Sequence, residues 1–156
     1  MAAENGEVDK KIDELLKKYP RKDAALLPLL HLFQEREGWI SKESMEKAAQ
    51  ILEIPTSRVR GVATFYTMYN KEKVGRYFIQ VCTNIACHLL EARKIVEHIE
   101  KKLGIKVGET TPDGKFSLIT VECLGSCGTA PMMQINNDYY ENLTIEKVDS
   151  ILDGLK

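Results

Sequence analysis

No apolar run in this sequence approaches the ~20 residues needed to span a bilayer. Its first residues, Met1-Ala2-Ala3-Glu4-Asn5-Gly6-Glu7, hold neither an apolar secretory core nor an arginine-rich targeting pattern. The expectation is a soluble, cytoplasmic protein, working from the aqueous face of a membrane complex if it serves one. Neither sign of charge is in excess: 22 Lys and Arg stand against 23 Asp and Glu, net −1. The residues before Arg76 carry 13 basic and 12 acidic side chains and the remainder 9 and 11, so neither part has the basic excess of a nucleic-acid binder. A helix-turn-helix reading of residues 41–67 would rest on Arg58 and Arg60 alone. A glycine-rich dinucleotide fingerprint is missing, as is any catalytic triad, so the chain is not expected to oxidise a nicotinamide by itself.

Cysteine is scarce too, but what there is falls in a pattern. The only four are Cys82, Cys87, Cys123 and Cys127, spaced Cys-x-x-x-x-Cys and Cys-x-x-x-Cys. Each pair follows an apolar run, 77–81 and 116–121, so two strands ending side by side would bring two thiolate pairs to one place. Converging thiolates need a soft cation or a cluster to hold their charge, or they pair as disulfides. A structural zinc site usually takes tighter Cys-x-x-Cys knuckles, and stable disulfides are uncommon in a reducing compartment. An iron–sulfur cluster ranks first, zinc second and disulfides third.

Taken in order, residues 1–6 read as a frayed terminus. Val8, Ile12, Leu15, Leu16 and Tyr19 then recur at helical spacing until Pro20. A second helix is predicted over 23–37 with Leu26, Leu30 and Phe33 inward; Pro28 must open its first turn or bend it. Gly38 suits a left-handed stop and Ser41 an N-cap. The next helix turns Met45, Ala48, Ala49 and Leu52 inward, and the fourth follows Pro55 with Val59, Val62, Ala63 and Tyr66. Residues 1–70 thus read as a four-helix bundle, 71–75 as a linker, and 76–156 as a second domain. There the apolar period changes to two at Tyr77, Ile79 and Val81. One long helix is predicted from Ile85 through Leu89, Ala92, Val96, Ile99 and Leu103, ended by Gly104. A strand over 116–122 follows, then a short strand over 132–135, a hairpin turn, a return over 139–141, and a last helix with Ile145, Val148, Ile151, Leu152 and Leu155 inward. Strand, helix and strand make a crossover, so the first two strands should be parallel, with their C-terminal ends at the sheet edge where α/β folds place ligands.

The run Val121-Glu122-Cys123-Leu124-Gly125-Ser126-Cys127-Gly128-Thr129-Ala130-Pro131-Met132, the stretch from Leu103 to Gly114, Ala63-Thr64-Phe65-Tyr66-Thr67-Met68-Tyr69-Asn70 and the Cys82 pair together resemble the thioredoxin-like [2Fe–2S] ferredoxins found as the 24 kDa subunit of respiratory complex I. Relatives in soluble hydrogenases and formate dehydrogenases look much the same. The resemblance implies an α+β or α/β fold: the helical bundle followed by a ferredoxin domain with a four-stranded mixed sheet and two helices. It implies a [2Fe–2S] cluster on Cys82, Cys87, Cys123 and Cys127, and a partner flavoprotein that carries FMN and NADH. The chain would be the electron-transfer subunit of an NADH:quinone oxidoreductase, or the equivalent subunit of an NAD-linked hydrogenase or formate dehydrogenase. A zinc-stabilised interaction module remains as a different class.

Around the four cysteines, Gly125 and Gly128 would let the loop turn N–H groups toward sulfur. Cys87 would gain from the N-terminal dipole of the long helix. Glu91 and Glu122 lie close in sequence to ligands and are expected to be solvated, and His88 reads as a neighbour of the site or a surface residue. Ser126, between two ligands, has a hydroxyl that could donate to a cysteine or bridging sulfur and raise the potential, or turn to solvent or bond to its own backbone. His31 reads as packed or half-exposed. Phe65, Tyr66 and Tyr69 read equally well as core or as a docking face.

Overall fold

The computed structural model describes residues 2–155, with side chains from Val8 onward. It divides into two compact units, Met1–Lys73 and Val74–Lys156.

The first unit is helical. Helix α1 spans Ala2–Leu16, so the terminus expected to fray is helical from Ala2; alanine and glutamate there are good helix formers. Its Ile12 is buried in the core of the unit, against which Val8, Leu15 and Leu16 also pack, while Tyr19 lies beyond the helix and is exposed. The predicted second helix opens as a 3-10 turn, Lys22–Ala25, before α2 (Leu26–Glu37). Pro28 therefore falls in the first turn of α2, where its missing N–H would have had no intrahelical partner. Leu26, Leu29, Leu30 and Phe33 are buried. Gly38 ends α2 at φ 79°, its N–H donating to the Gln34 carbonyl at 2.7 Å. Ser41 caps α3 (Lys42–Leu52), accepting from the Ser44 N–H at 3.0 Å. Helix α4 (Thr56–Phe65) buries Val59 and Ala63, and Arg58 pairs with Asp23 at 3.5 Å.

The aromatic group at 65–69 splits. Tyr69 is buried and donates its hydroxyl to the Leu27 carbonyl at 2.8 Å. Phe65 is 76% exposed, and Tyr66 and Met68 are exposed beside it. His31 is exposed with its ring 5.1 Å from that of Tyr69.

The second unit is built on one sheet of order β2-β1-β3-β4. Strands β1 (Tyr77–Cys82) and β2 (Phe116–Val121) are parallel, with Cys82 opposite Val121. Strands β3 (Met133–Ile135) and β4 (Asp138–Tyr140) are antiparallel and add the other edge. Gly75 leads into β1: its N–H donates to Ser117 Oγ at 2.6 Å, and a Cβ there would stand 2.7 Å from the Phe116 carbonyl carbon. Only glycine allows that approach.

The predicted long helix over 85–103 is not continuous. It is a short α5 (Ile85–Leu89) and a longer α6 (Ala92–Leu103), separated at Glu91, which sits at φ 65°. Ile85 and Leu89, expected on the inner face, are each 75% exposed, whereas Ala92, Val96 and Ile99 are buried. The reason is angular. On one regular helix, Cys87 would point roughly 140° away from Ala92, toward solvent; the break lets both face inward. Helix α7 (Ile145–Gly154) closes the unit, capped by Thr144 and joined to α6 by Asp149, which meets His98 and Lys102 at 2.8 and 3.0 Å.

Candidate metal centre

The two parallel strands end together, and each hands its chain to a cysteine loop. Cys82 is the last residue of β1, its N–H donating to the Met132 carbonyl at 3.2 Å and its thiol lying 3.9 Å from the Glu122 carbonyl oxygen. Helix α5, with Asn84 accepting from the Ile85 N–H at 2.8 Å, carries Cys87 into the same small cluster as Cys82, Ala92, Ala130 and Met132. Both thiols are buried. Burial, the hydrogen bond with Cys82, and the neighbouring Cys82 and Cys127 push the Cys87 thiol up to about 11, against a backbone hydrogen bond from Met132 that lowers it. The expected help from a long helix's N-terminus is therefore absent: α5 is five residues long, and desolvation dominates.

Cys123 and Cys127 are exposed. They lie on the loop after β2, with Cys127 opening a 3-10 turn, Cys127–Thr129. Gly125 stands at φ 80° and turns its N–H to Cys123 Sγ at 3.3 Å, the inward N–H that a thiolate loop needs. Gly128 has no positive φ, so it does not use its freedom in this way. The peptide before Pro131 is cis.

None of the four cysteines is in a disulfide. Among the described residues, no three His, Cys, Asp or Glu side chains are gathered around one point. The donors divide into a buried pair, Cys82 and Cys87 in one small cluster, and an exposed pair, Cys123 and Cys127, on the loop after β2. Two thiolate pairs, each able to serve one iron, fit a two-iron centre.

The other sequence candidates stand outside this set. Glu91 is exposed and paired with Lys94 at 2.5 Å, Glu122 is exposed, and His88 is exposed on the wall of a cleft with Thr83, Arg93 and Thr120. Ser126 gives a correction. Its hydroxyl meets neither a sulfur nor its own backbone; it donates to the Glu141 carboxylate and lies 2.7 Å from Thr129 Oγ1. A carboxylate accepts more strongly than a thiol, and Glu141, fifteen residues on, is brought there by the β3–β4 hairpin. Sequence reading misses Glu141 because nothing local ties it to the loop.

Residues 12–156 match the family model described as thioredoxin-like [2Fe–2S] ferredoxin. The chain belongs to the thioredoxin-like [2Fe–2S] ferredoxin family. It is 48% identical over 149 residues to NADH dehydrogenase [ubiquinone] flavoprotein 2, mitochondrial, of Dictyostelium discoideum, covering 94% of this chain and 60% of that protein. It is 49% identical over 144 residues to a subunit of the NADH-quinone oxidoreductase of Rickettsia felis, covering 90% and 86% respectively. In structure it resembles a chain of an NAD+-reducing [NiFe]-hydrogenase, with a TM-score of 0.73 at 19% identity over 83% of this chain and 22% of that one; this likeness is one of fold. The ferredoxin family brings a [2Fe–2S] cluster with it, and the paired thiols are the donors suited to it. Among the described residues no helix is long and apolar enough to cross a membrane.

Proposed function

We propose that this chain is the [2Fe–2S] electron-transfer subunit of an NADH:quinone oxidoreductase, with Cys82, Cys87, Cys123 and Cys127 as its ligands. The observation that supports the reading is that the parallel strands β1 and β2 end side by side, Cys82 opposite Val121, and each is followed by a cysteine of one pair. Identities of 48% and 49% to complex I subunits support this assembly over a hydrogenase or formate dehydrogenase. When bound, a [2Fe–2S] centre takes up and releases one electron at a time. The chain's own part is to hold that centre asymmetrically. Cys82 and Cys87 anchor it from the packed side, and the Cys123–Cys127 loop faces outward, where electron exchange with a partner needs the shortest path. The Gly125 N–H offsets thiolate charge at Cys123.

The electron donor in this reading is a partner flavoprotein that carries FMN and binds NADH; this chain holds neither. Residues 1–70 are the docking unit, 71–75 the linker and 76–156 the ferredoxin domain. Support for docking comes from Phe65, Tyr66 and Met68, which the helical unit leaves exposed.

The test is anaerobic purification. The chain should be red-brown, carry about two irons and two sulfides, give a paramagnetic signal on one-electron reduction, and fail to oxidise NADH alone. Alanine at any of the four cysteines should abolish or cripple the centre. A colourless preparation with one tightly held zinc overturns the reading, and so does a Cys82→Ala chain with full iron content and an unaltered spectrum.

A further inference from the structure

We propose that Glu141 clasps the Cys123–Cys127 loop and, through its fixed charge, lowers the reduction potential of the centre that the loop holds. This rests on the [2Fe–2S] reading above. Glu141 follows β4 and is half-buried. One of its oxygens, Oε1, accepts from both Ser126 Oγ and Thr129 Oγ1, the latter at 2.5 Å. These two residues flank Cys127, so a single carboxylate oxygen bridges the chain on either side of a ligand. The strand adds further ties: Tyr139 donates its hydroxyl to the Leu124 carbonyl at 2.9 Å, and the Asn142 N–H donates to the Thr129 carbonyl at 2.7 Å. Residues at two-residue spacing share one side of extended chain, so Tyr139 and Glu141 both reach the loop, which is gripped at 124, 126 and 129.

The grip has an electrostatic consequence. Both hydroxyls donate to the carboxylate and hold it ionised, with its pKa lowered by Ser126, then Thr129, and to a smaller extent by Lys147. A fixed negative charge beside the loop opposes the further negative charge that reduction adds. Lys147, whose Nζ donates to the Glu141 carbonyl at 2.6 Å, moderates the effect without removing it. Glu141 acts through the loop and through space, so it is a positioning residue.

The deciding variant is Glu141→Gln in the full chain, because glutamine keeps an accepting oxygen and loses the charge. Iron and sulfide content should match the wild type, while the reduction equilibrium shifts toward the reduced state by about threefold to tenfold, tenfold being about 59 mV for one electron. Glu141→Ala should show the same rise and, with the clasp gone, release iron to a chelator several-fold faster. Ser126→Ala keeps the charge and the Thr129 tie, so the potential should stay close to that of the wild type while iron release quickens; a Ser126 hydroxyl bonded to sulfur would instead give a fall in potential. A loaded Glu141→Gln chain with an unshifted or lowered potential overturns the electrostatic part, and a Glu141→Ala chain that releases iron at the wild-type rate overturns the clasp. If Glu141→Gln fails to load, Ser126→Ala and Thr129→Val decide: a wild-type iron release rate in both overturns the inference. A wild type without iron and sulfide overturns the [2Fe–2S] reading itself, which separates the two failures.

Discussion

The two cysteine pairs are chemically alike and physically opposite. Cys82 and Cys87 are 3% and 2% exposed, packed with Ala92, Ala130 and Met132. Cys123 and Cys127 are exposed on a loop held by hydrogen bonds from β4 and the residues after it. The buried pair is fixed by apolar packing and by the ends of regular elements. The exposed pair is fixed by polar ties, each worth about a kilocalorie per mole net. One side of the site is therefore part of the core, and the other is a separately adjustable surface. Changes at the first should be felt as stability and changes at the second as accessibility and potential.

The largest effect expected from this difference is in thiol reactivity once a chelator has stripped the metal. A buried thiol reacts only through local opening, and core openings approach the global unfolding free energy. Alkylation of Cys123 and Cys127 should precede that of Cys82 and Cys87 by at least about a hundredfold, read by mass spectrometry of timed quenches. Equal rates for all four would show that the two pairs do not differ in packing. Stability comes next. In metal-free protein, Cys82→Ser or Cys87→Ser puts a hydroxyl where a weakly polar thiol packs, at a cost of about 1–3 kcal/mol. The same change at Cys123 or Cys127 should stay within about 0.5 kcal/mol. Urea unfolding midpoints at constant slope measure both, and a serine at Cys123 as damaging as one at Cys87 would erase the comparison.

Much of this arrangement is legible in the sequence. The period-two run before Cys82 and the apolar run 116–121 point to the parallel pair, and their crossover places both cysteine pairs at one sheet edge. The caps at Gly38 and Ser41 follow from local backbone and side-chain chemistry, and the structure has them. The break at Glu91 is hidden, because Ile85 and Leu89 continue the spacing of Ala92, Val96 and Ile99 so well. The contrary signal lies in Cys87 itself: a ligand roughly 140° from the inner stripe cannot share a straight helix with it. The Ser126–Glu141 contact has no such signal. It depends on which side of the loop the β3–β4 hairpin closes over, and that is decided by tertiary packing rather than by neighbours in sequence.

The smallest effect expected is also one whose sign is informative, and it concerns the break that buries Cys87. Glu91 occupies the left-handed region at φ 65°, ψ 28°, which costs an L-residue roughly 1–2 kcal/mol. Its ion pair with Lys94 is largely exposed, of the kind that contributes at most about 1 kcal/mol. Glu91→Gly removes that strain and that pair together, and it also raises the chain entropy of the unfolded state. The balance should be a stabilisation of about 0.5 kcal/mol, with metal content unchanged. On an unbroken helix over 85–103 the same substitution would cost about 1 kcal/mol, the ordinary penalty for glycine in a helix interior. Glu91→Val provides the opposite control: a β-branched side chain is poorly tolerated at positive φ, so it should destabilise by more than about 1 kcal/mol, whereas a straight helix would accept it at about half that. Chemical denaturation of the two variants side by side decides whether Cys87 owes its place in the core to a left-handed residue four positions on.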